Sequence, residues 1–202
     1  MTAISLLTRV LDLYRRMDQA YERVASEHKF ECSGCEDSCC KTLFYHRTLG
    51  EYLALWTGLK TLPAPVREEI IDKAGAVREA EAAAAGRGWY EKACPALHGD
   101  LCLVYEHRPM ICRLHGVPYH LVLPDGSART GPGCARFQEA ARNSGGDSIL
   151  LDRTPLYREL SALEQVIRKK FGFSGKISLT VAGILEDPYN LGRSIRLDLE
   201  YV

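Results

Sequence analysis

Four cysteines fall within nine residues, at Cys32, Cys35, Cys39 and Cys40. Four more follow at Cys94, Cys102, Cys112 and Cys134. Eight thiols in 202 residues, grouped this way, exceed what core packing asks of cysteine. A C-x2-C step lets a tight turn aim two sulfurs at one metal ion. Gly34 lies between the first pair, where a turn calls for an unhindered backbone. The stretch from Cys32 to Cys40 therefore reads as one half of a metal site, and the later four cysteines as the other half.

Eight thiolates suffice for two separate four-ligand sites. Adjacent Cys39 and Cys40 point in different directions, so they serve two centres, or two irons of one, or only one of them ligates. A four-thiolate Zn²⁺ site and a four-thiolate [4Fe–4S]²⁺ cluster carry the same formal charge of about −2 and need N–H donors and cations around them. Lys41, Arg108, Arg113 and Arg136 lie close to the cysteines in sequence. Arg108 and Arg113 are the expected cations beside the metal, with Pro109 fixing the turn between them; surface salt bridges are the alternative. His46, His98, His107 and His115 also lie near. Cys112 and His115 stand one helical turn apart, a spacing suited to two ligands, although the cysteines already suffice.

A sulfur-only donor set accepts zinc or iron. The compact C-x2-C-x3-C triplet and the Cys94-Pro95 step echo iron–sulfur proteins, although the full ferredoxin run is absent. An iron–sulfur cluster is the first expectation and Zn²⁺ the alternative.

A chain of this length suits one domain and buries about 70% of its extended surface, so it needs no cross-links merely to have a core. Its 26 basic and 26 acidic residues cancel. That balance argues against a nucleic-acid partner. Charges interrupt the first 24 residues, no apolar run of 18 exists, and neither a signal peptide nor a membrane span is expected. The expected location is cytoplasmic, where thiols stay reduced and clustered cysteines favour metal over a disulfide framework.

The elements that must hold the cysteines follow from periodicity. Residues 3–28 read as an amphipathic helix with Ile4, Leu7, Leu11, Tyr14, Met17, Tyr21 and Val24 on one face. Leu43-Phe44-Tyr45 is a short extended run. Thr48-Leu49-Gly50-Glu51 is a capping box opening a helix to about Leu59. A helix over about 65–85 carries Pro65 in its first turn and ends at Gly86 and Gly88. Trp89 and Tyr90 follow and are expected to pack over the site. Residues 94–134 read as mostly irregular, with a short helix after Pro109 that stops at Gly116. A hairpin from Tyr119 to Thr130 turns at Pro124–Ser127. Gly131-Pro132-Gly133 then returns Cys134. Asn143–Asp147 reads as a loop. Thr154 is the expected N-cap of a helix to about Lys170, with Leu156, Leu160, Leu163, Val166 and Ile167 inward and Gly172 ending it. Residues 177–185 are apolar, either strand or short helix, and Asp187-Pro188 breaks them.

The expected fold is mainly α with a small β-hairpin (α+β). It forms a single domain over 1–202, whose cysteine-rich irregular metal-binding core spans 30–136 between an N-terminal helix and a C-terminal helical extension.

The combined pattern resembles a known family. Cys32-x2-Cys35-x3-Cys39-Cys40, Cys94-Pro95-x-Leu97, Cys102-x2-Tyr105-x2-Arg108-Pro109-x2-Cys112-Arg113 and Gly133-Cys134 are similar to the YkgJ-type cysteine-cluster proteins, described as zinc- or iron-chelating and often as iron–sulfur. Flagellin lysine N-methylases, which are longer chains, are similar in the cysteine region. The resemblance implies metal binding through all eight cysteines. It brings no settled reaction or catalytic residue. The expectation is an iron–sulfur protein, in redox transfer or a redox-linked enzyme. The alternatives are a zinc-stabilised binding module and, more distantly, lysine methylation. The partner, protein or small molecule, is not specified by the residues.

Overall fold

The computed structural model of the chain describes residues 2–32, 39–83, 93–144 and 149–193. Cys35, Gly34, Gly86, Gly88, Trp89 and Tyr90 lie outside the described residues. The fold is mainly α with two small sheets, as expected.

Helix α1 (Ala3–Glu27) is capped by Thr2, whose hydroxyl oxygen accepts from Ser5 N at 3.1 Å. Leu6, Leu7, Val10, Leu13, Tyr14, Met17 and Val24 are buried along one stripe. Ile4, expected on that stripe, is 38% exposed, because the buried stripe begins only at Leu6. Helix α2 (Leu49–Thr61) is the centre of the molecule. Every residue from Leu49 to Leu59 is buried, against α1, α3 (Ala64–Ala83), the 3-10 turn Tyr105–His107 and α6 (Thr154–Phe171). A helix covered all round needs no apolar stripe. Gly58 permits the closest of these approaches: a Cβ there would stand 2.5 Å from His107 Cβ.

The capping box forms as read. Thr48 Oγ1 accepts from Glu51 N at 3.1 Å, and Glu51 Oε2 accepts from Thr48 N at 3.3 Å. A second carboxylate, from α6, completes the same helix end. Glu164 accepts from Leu49 N at 2.8 Å and from Gly50 N at 3.0 Å. This corrects the expected face of α6. Leu156, Leu160, Leu163 and Ile167 are buried, but Val166 is 41% exposed. Glu164 lies about 200° round the helix from it, so an inward Glu164 turns Val166 outward. The N-cap position of α6 is Arg153 rather than Thr154. The Thr154 hydroxyl accepts instead from Val122 N at 3.0 Å and docks the helix on a strand.

Strands β1 (Leu97–His98) and β2 (Leu101–Cys102) form a minimal antiparallel hairpin. The expected hairpin is present as β3 (Tyr119–Val122) and β4 (Ala128–Gly131), paired from Tyr119↔Gly131 to Val122↔Ala128. A short parallel strand, β5 (Leu151–Asp152), extends it to the order β4-β3-β5. Helix α4 (Met110–Leu114) follows Pro109, as expected. Helix α5 (Ala135–Ser144) was not anticipated and includes Asn143 and Ser144 of the expected loop. The undecided apolar tail resolves into both options. Leu179 makes an isolated antiparallel bridge to His46, and α7 (Val181–Leu185) follows. Asp187, at φ 56°, then ends the helical path, and its carboxylate accepts from Tyr52 OH and from three backbone N–H groups at 191–193. Among the described residues no helix is long and apolar enough to cross a membrane.

Candidate metal centre

The two cysteine groups are stitched together by backbone. Cys94 N donates to Cys40 O at 2.6 Å, which fixes the Cys39-Cys40 turn beside the β1–β2 hairpin. Cys94 precedes β1 and Cys102 closes β2, paired with Leu97. Cys112 is carried by α4. The first N–H of α4, Met110 N, donates to Glu51 Oε1 at 3.2 Å, so the carboxylate that caps α2 also sets the helix holding Cys112. Cys134 returns through Gly133. At φ 82°, with a Cβ that would meet Gly116 O at 2.6 Å, that position admits only glycine without strain. Cys134 N then donates to Gly116 O at 2.9 Å, and Phe137 N donates to Cys134 Sγ at 3.4 Å.

The thiols converge on two cavities with a common wall. The smaller, about 50 Å³, is lined by Cys39, Cys40, Cys94, Cys102 and Cys112. Apolar groups close it, including Phe44, Leu55, Val104, Pro109 and Ala182, with Thr42, His46, Glu81, Arg108 and Thr180 as polar residues of the lining. The larger, about 310 Å³, is lined by Cys32, Cys39, Cys112 and Cys134 together with Asp18, Tyr21, Arg108, Arg113 and His115. Among the described residues the seven cysteines form no disulfide, and each lines one cavity or both. Cys39, Cys112 and Arg108 belong to both.

Sulfur dominates the electrostatics. Cys39 Sγ and Cys40 Sγ are 4.0 Å apart. The Cys39 thiol is held below its ordinary pKa by hydrogen bonds from Cys112 and then Cys40. Donating those bonds, together with burial, pushes Cys112 and Cys40 up. Burial raises Cys94 to about 12 and raises Cys102, against the backbone N–H of Ala96 and of Val104, which bond their sulfurs. The contact thus lowers Cys39 and raises the thiols around it. A cation is what lets the others ionise together. Among the described residues no set of three or more His, Cys, Asp or Glu side chains is already closed into a metal cage. The donor set, soft sulfurs with N–H···S support and an arginine at the shared wall, fits a thiophilic metal.

The two arginines differ in their commitments. Arg113 is buried and spends its guanidinium on Asp18 and on the carbonyls of Tyr105, Glu106 and Arg108. It braces the 3-10 turn against α1 and α4 and faces the larger cavity only. Arg108 donates to Asp18 Oδ1 at 3.3 Å and lies over the Tyr105 ring at 3.7 Å, and it reaches both cavities. Lys41 is exposed, and Arg136 lines the larger cavity. Of the histidines, His46 faces the smaller cavity and His115 the larger, while His107 packs on Gly58 and His98 is exposed on β1. Glu81, which periodicity places on the inward face of α3, proves to be a buried acid in the smaller cavity. Its charge amid an otherwise apolar face was the signal available in the sequence.

With this geometry in view, comparison with known proteins is informative. Residues 31–125 match the model of the CxxCxxCC family, a "putative zinc- or iron-chelating domain". The match covers slightly less than half of the chain and contains every cysteine except Cys134. It supports metal binding by this stretch and leaves both metals open. No curated protein and no solved structure matches the chain.

Proposed function

We propose that this is a metal-binding protein whose clustered thiolates hold an iron–sulfur centre. The observation that carries the reading is the convergence of five thiols, from three separate segments, on one small cavity with an apolar wall. Such a centre, when bound, supplies one-electron transfer, at a potential set by burial and by hydrogen bonds to its sulfurs. The chain provides both influences: N–H···S bonds from Ala96 and Val104, and the shell formed by Phe44, Leu55 and Val104. Arg108 is the cation placed to balance negative charge at the wall that both cavities share.

Anaerobic purification tests the reading. It predicts a brown protein with a broad visible band, iron and acid-labile sulfide. Colourless protein with stoichiometric zinc, unchanged by anaerobic handling, would overturn it.

One distance favours zinc as the second reading. Two thiolates on one tetrahedral zinc, each at about 2.3 Å, stand about 3.8 Å apart. The Cys39–Cys40 sulfur separation of 4.0 Å is close to that. On this reading the metal closes loops and the protein is a binding module.

A further inference from the structure

We propose that His46 is a nitrogen ligand of the metal in the smaller cavity, oriented by Glu51, so that this centre is a mixed sulfur–imidazole site. The inference rests on the metal-binding reading above and adds a ligand to it. His46 is only 2% exposed and is one of the residues that line the cavity, as are Cys40, Cys94 and Cys102. Neither ring nitrogen has a hydrogen-bond partner among the described residues. A buried imidazole without partners is costly to keep and calls for an explanation.

The two nitrogens are not equivalent. Nδ1 lies 3.8 Å from Glu51 Oε1, within ion-pair range but longer than a hydrogen bond. Nε2 is therefore the nitrogen left for the cavity. A metal-binding histidine characteristically turns its other nitrogen toward a carboxylate, which fixes the tautomer and the ring plane. Glu51 is well suited to that task. Its Oε2 accepts from Thr48 Oγ1 at 2.7 Å and its Oε1 from Met110 N at 3.2 Å, so the carboxylate is held in place. The backbone of His46 is fixed as well, by reciprocal bonds with Leu179 at 2.7 and 3.1 Å.

Thiol arithmetic points the same way. Cys40, Cys94 and Cys102 face the smaller cavity alone, whereas Cys39 and Cys112 also face the larger one. Three thiolates are uncontested, and a tetrahedral ion takes four donors. The cavity's other unpartnered oxygen, Glu81 Oε1, is the rival fourth donor.

Zinc-edge X-ray absorption on protein loaded with zinc alone tests this. Wild type should show an imidazole nitrogen shell at about 2.0–2.1 Å beside sulfur at about 2.3 Å. His46→Ala should lose the nitrogen shell and bind zinc at least tenfold more weakly. His46→Cys should recover affinity with sulfur only, which separates loss of a ligand from loss of fold. The exposed His98→Ala should leave the spectrum unchanged. A sulfur-only spectrum in wild type, or a light-atom shell that survives in His46→Ala, would overturn the assignment while leaving metal binding intact. Failure of wild type to bind any metal would instead remove the reading beneath it.

Discussion

Cys112, like Cys39, belongs to both cavities, so its removal should be felt in both. The perturbation is Cys112→Ser, with Cys102→Ser and Cys134→Ser as partners confined to the smaller and the larger cavity. A structural four-donor zinc site is worth about 10–16 kcal/mol at neutral pH, so one donor in four contributes about 3 kcal/mol. A loss of that size weakens binding by about 100-fold. Zinc titration against a chromophoric chelator should resolve the sites. Cys102→Ser should weaken one phase, Cys134→Ser another, and Cys112→Ser both, because it takes a ligand from the larger site and a wall from the smaller. Circular dichroism of the metal-free variants guards against misfolding, since Cys112 sits on a helix packed on α1. If Cys112→Ser reproduces Cys102→Ser alone, the common-wall argument fails.

Other expectations follow from the same geometry. Cys94, Cys102 and Cys112 have raised pKa values and are protonated at pH 7 without metal. Zinc binding should therefore release protons and tighten as pH rises from 6 to 8; calorimetric heats that do not vary with buffer ionisation enthalpy would contradict this. In metal-free protein the same raised values make folding less favourable as pH rises through about 9 toward 12, so the denaturation midpoint should fall there unless metal is bound. Glu164→Ala leaves the Leu49 and Gly50 N–H groups without their acceptor and should cost about 2–3 kcal/mol. At this chain length that is a fall in Tm of about 5–10 °C, and Glu164→Gln should lose less. Val166→Glu should change stability by no more than about 0.5 kcal/mol in the same melts, because the side chain faces solvent.

Local chemistry made much of this molecule legible in its sequence. The capping box at Thr48–Glu51, the Pro109 helix start, the hairpin turn at Pro124–Ser127 and the Gly172 stop are each written in one short segment. Gly172 indeed takes the left-handed conformation, at φ 60°. What stayed hidden depends on partners distant in sequence. Glu164 is not among the inward residues that periodicity picks on α6, and only the two N–H groups of α2 draw it inward and turn Val166 out. Strand β5 is two residues long and exists only because β3 offers an edge. Helix α5 is hard to read because it begins immediately after a ligand candidate and, among its described side chains, only Phe137 is fully buried. At the site, cysteine spacing marked the thiols but not their division between two cavities, which needs the fold.

The bracing of the site bears on what a metal could do for this chain. Glu51 serves the α2 cap, the first N–H of α4 and the His46 ring at once, and Arg113 ties α1, through Asp18, to the 3-10 turn and α4. The helices that provide these anchors bury their own apolar surface, with Leu13, Met17, Tyr52, Leu53, Leu163 and Ile167 each at most 2% exposed. They have reason to fold without an ion. The segments 39–46 and 93–117 carry only short elements, β1, β2, the 3-10 turn and α4, and hold most of the thiols. Metal binding free energy is therefore spent chiefly on ordering those two segments against a frame that already stands. This division suits a centre that must gain and lose an ion, a ligand or an electron without unfolding the chain.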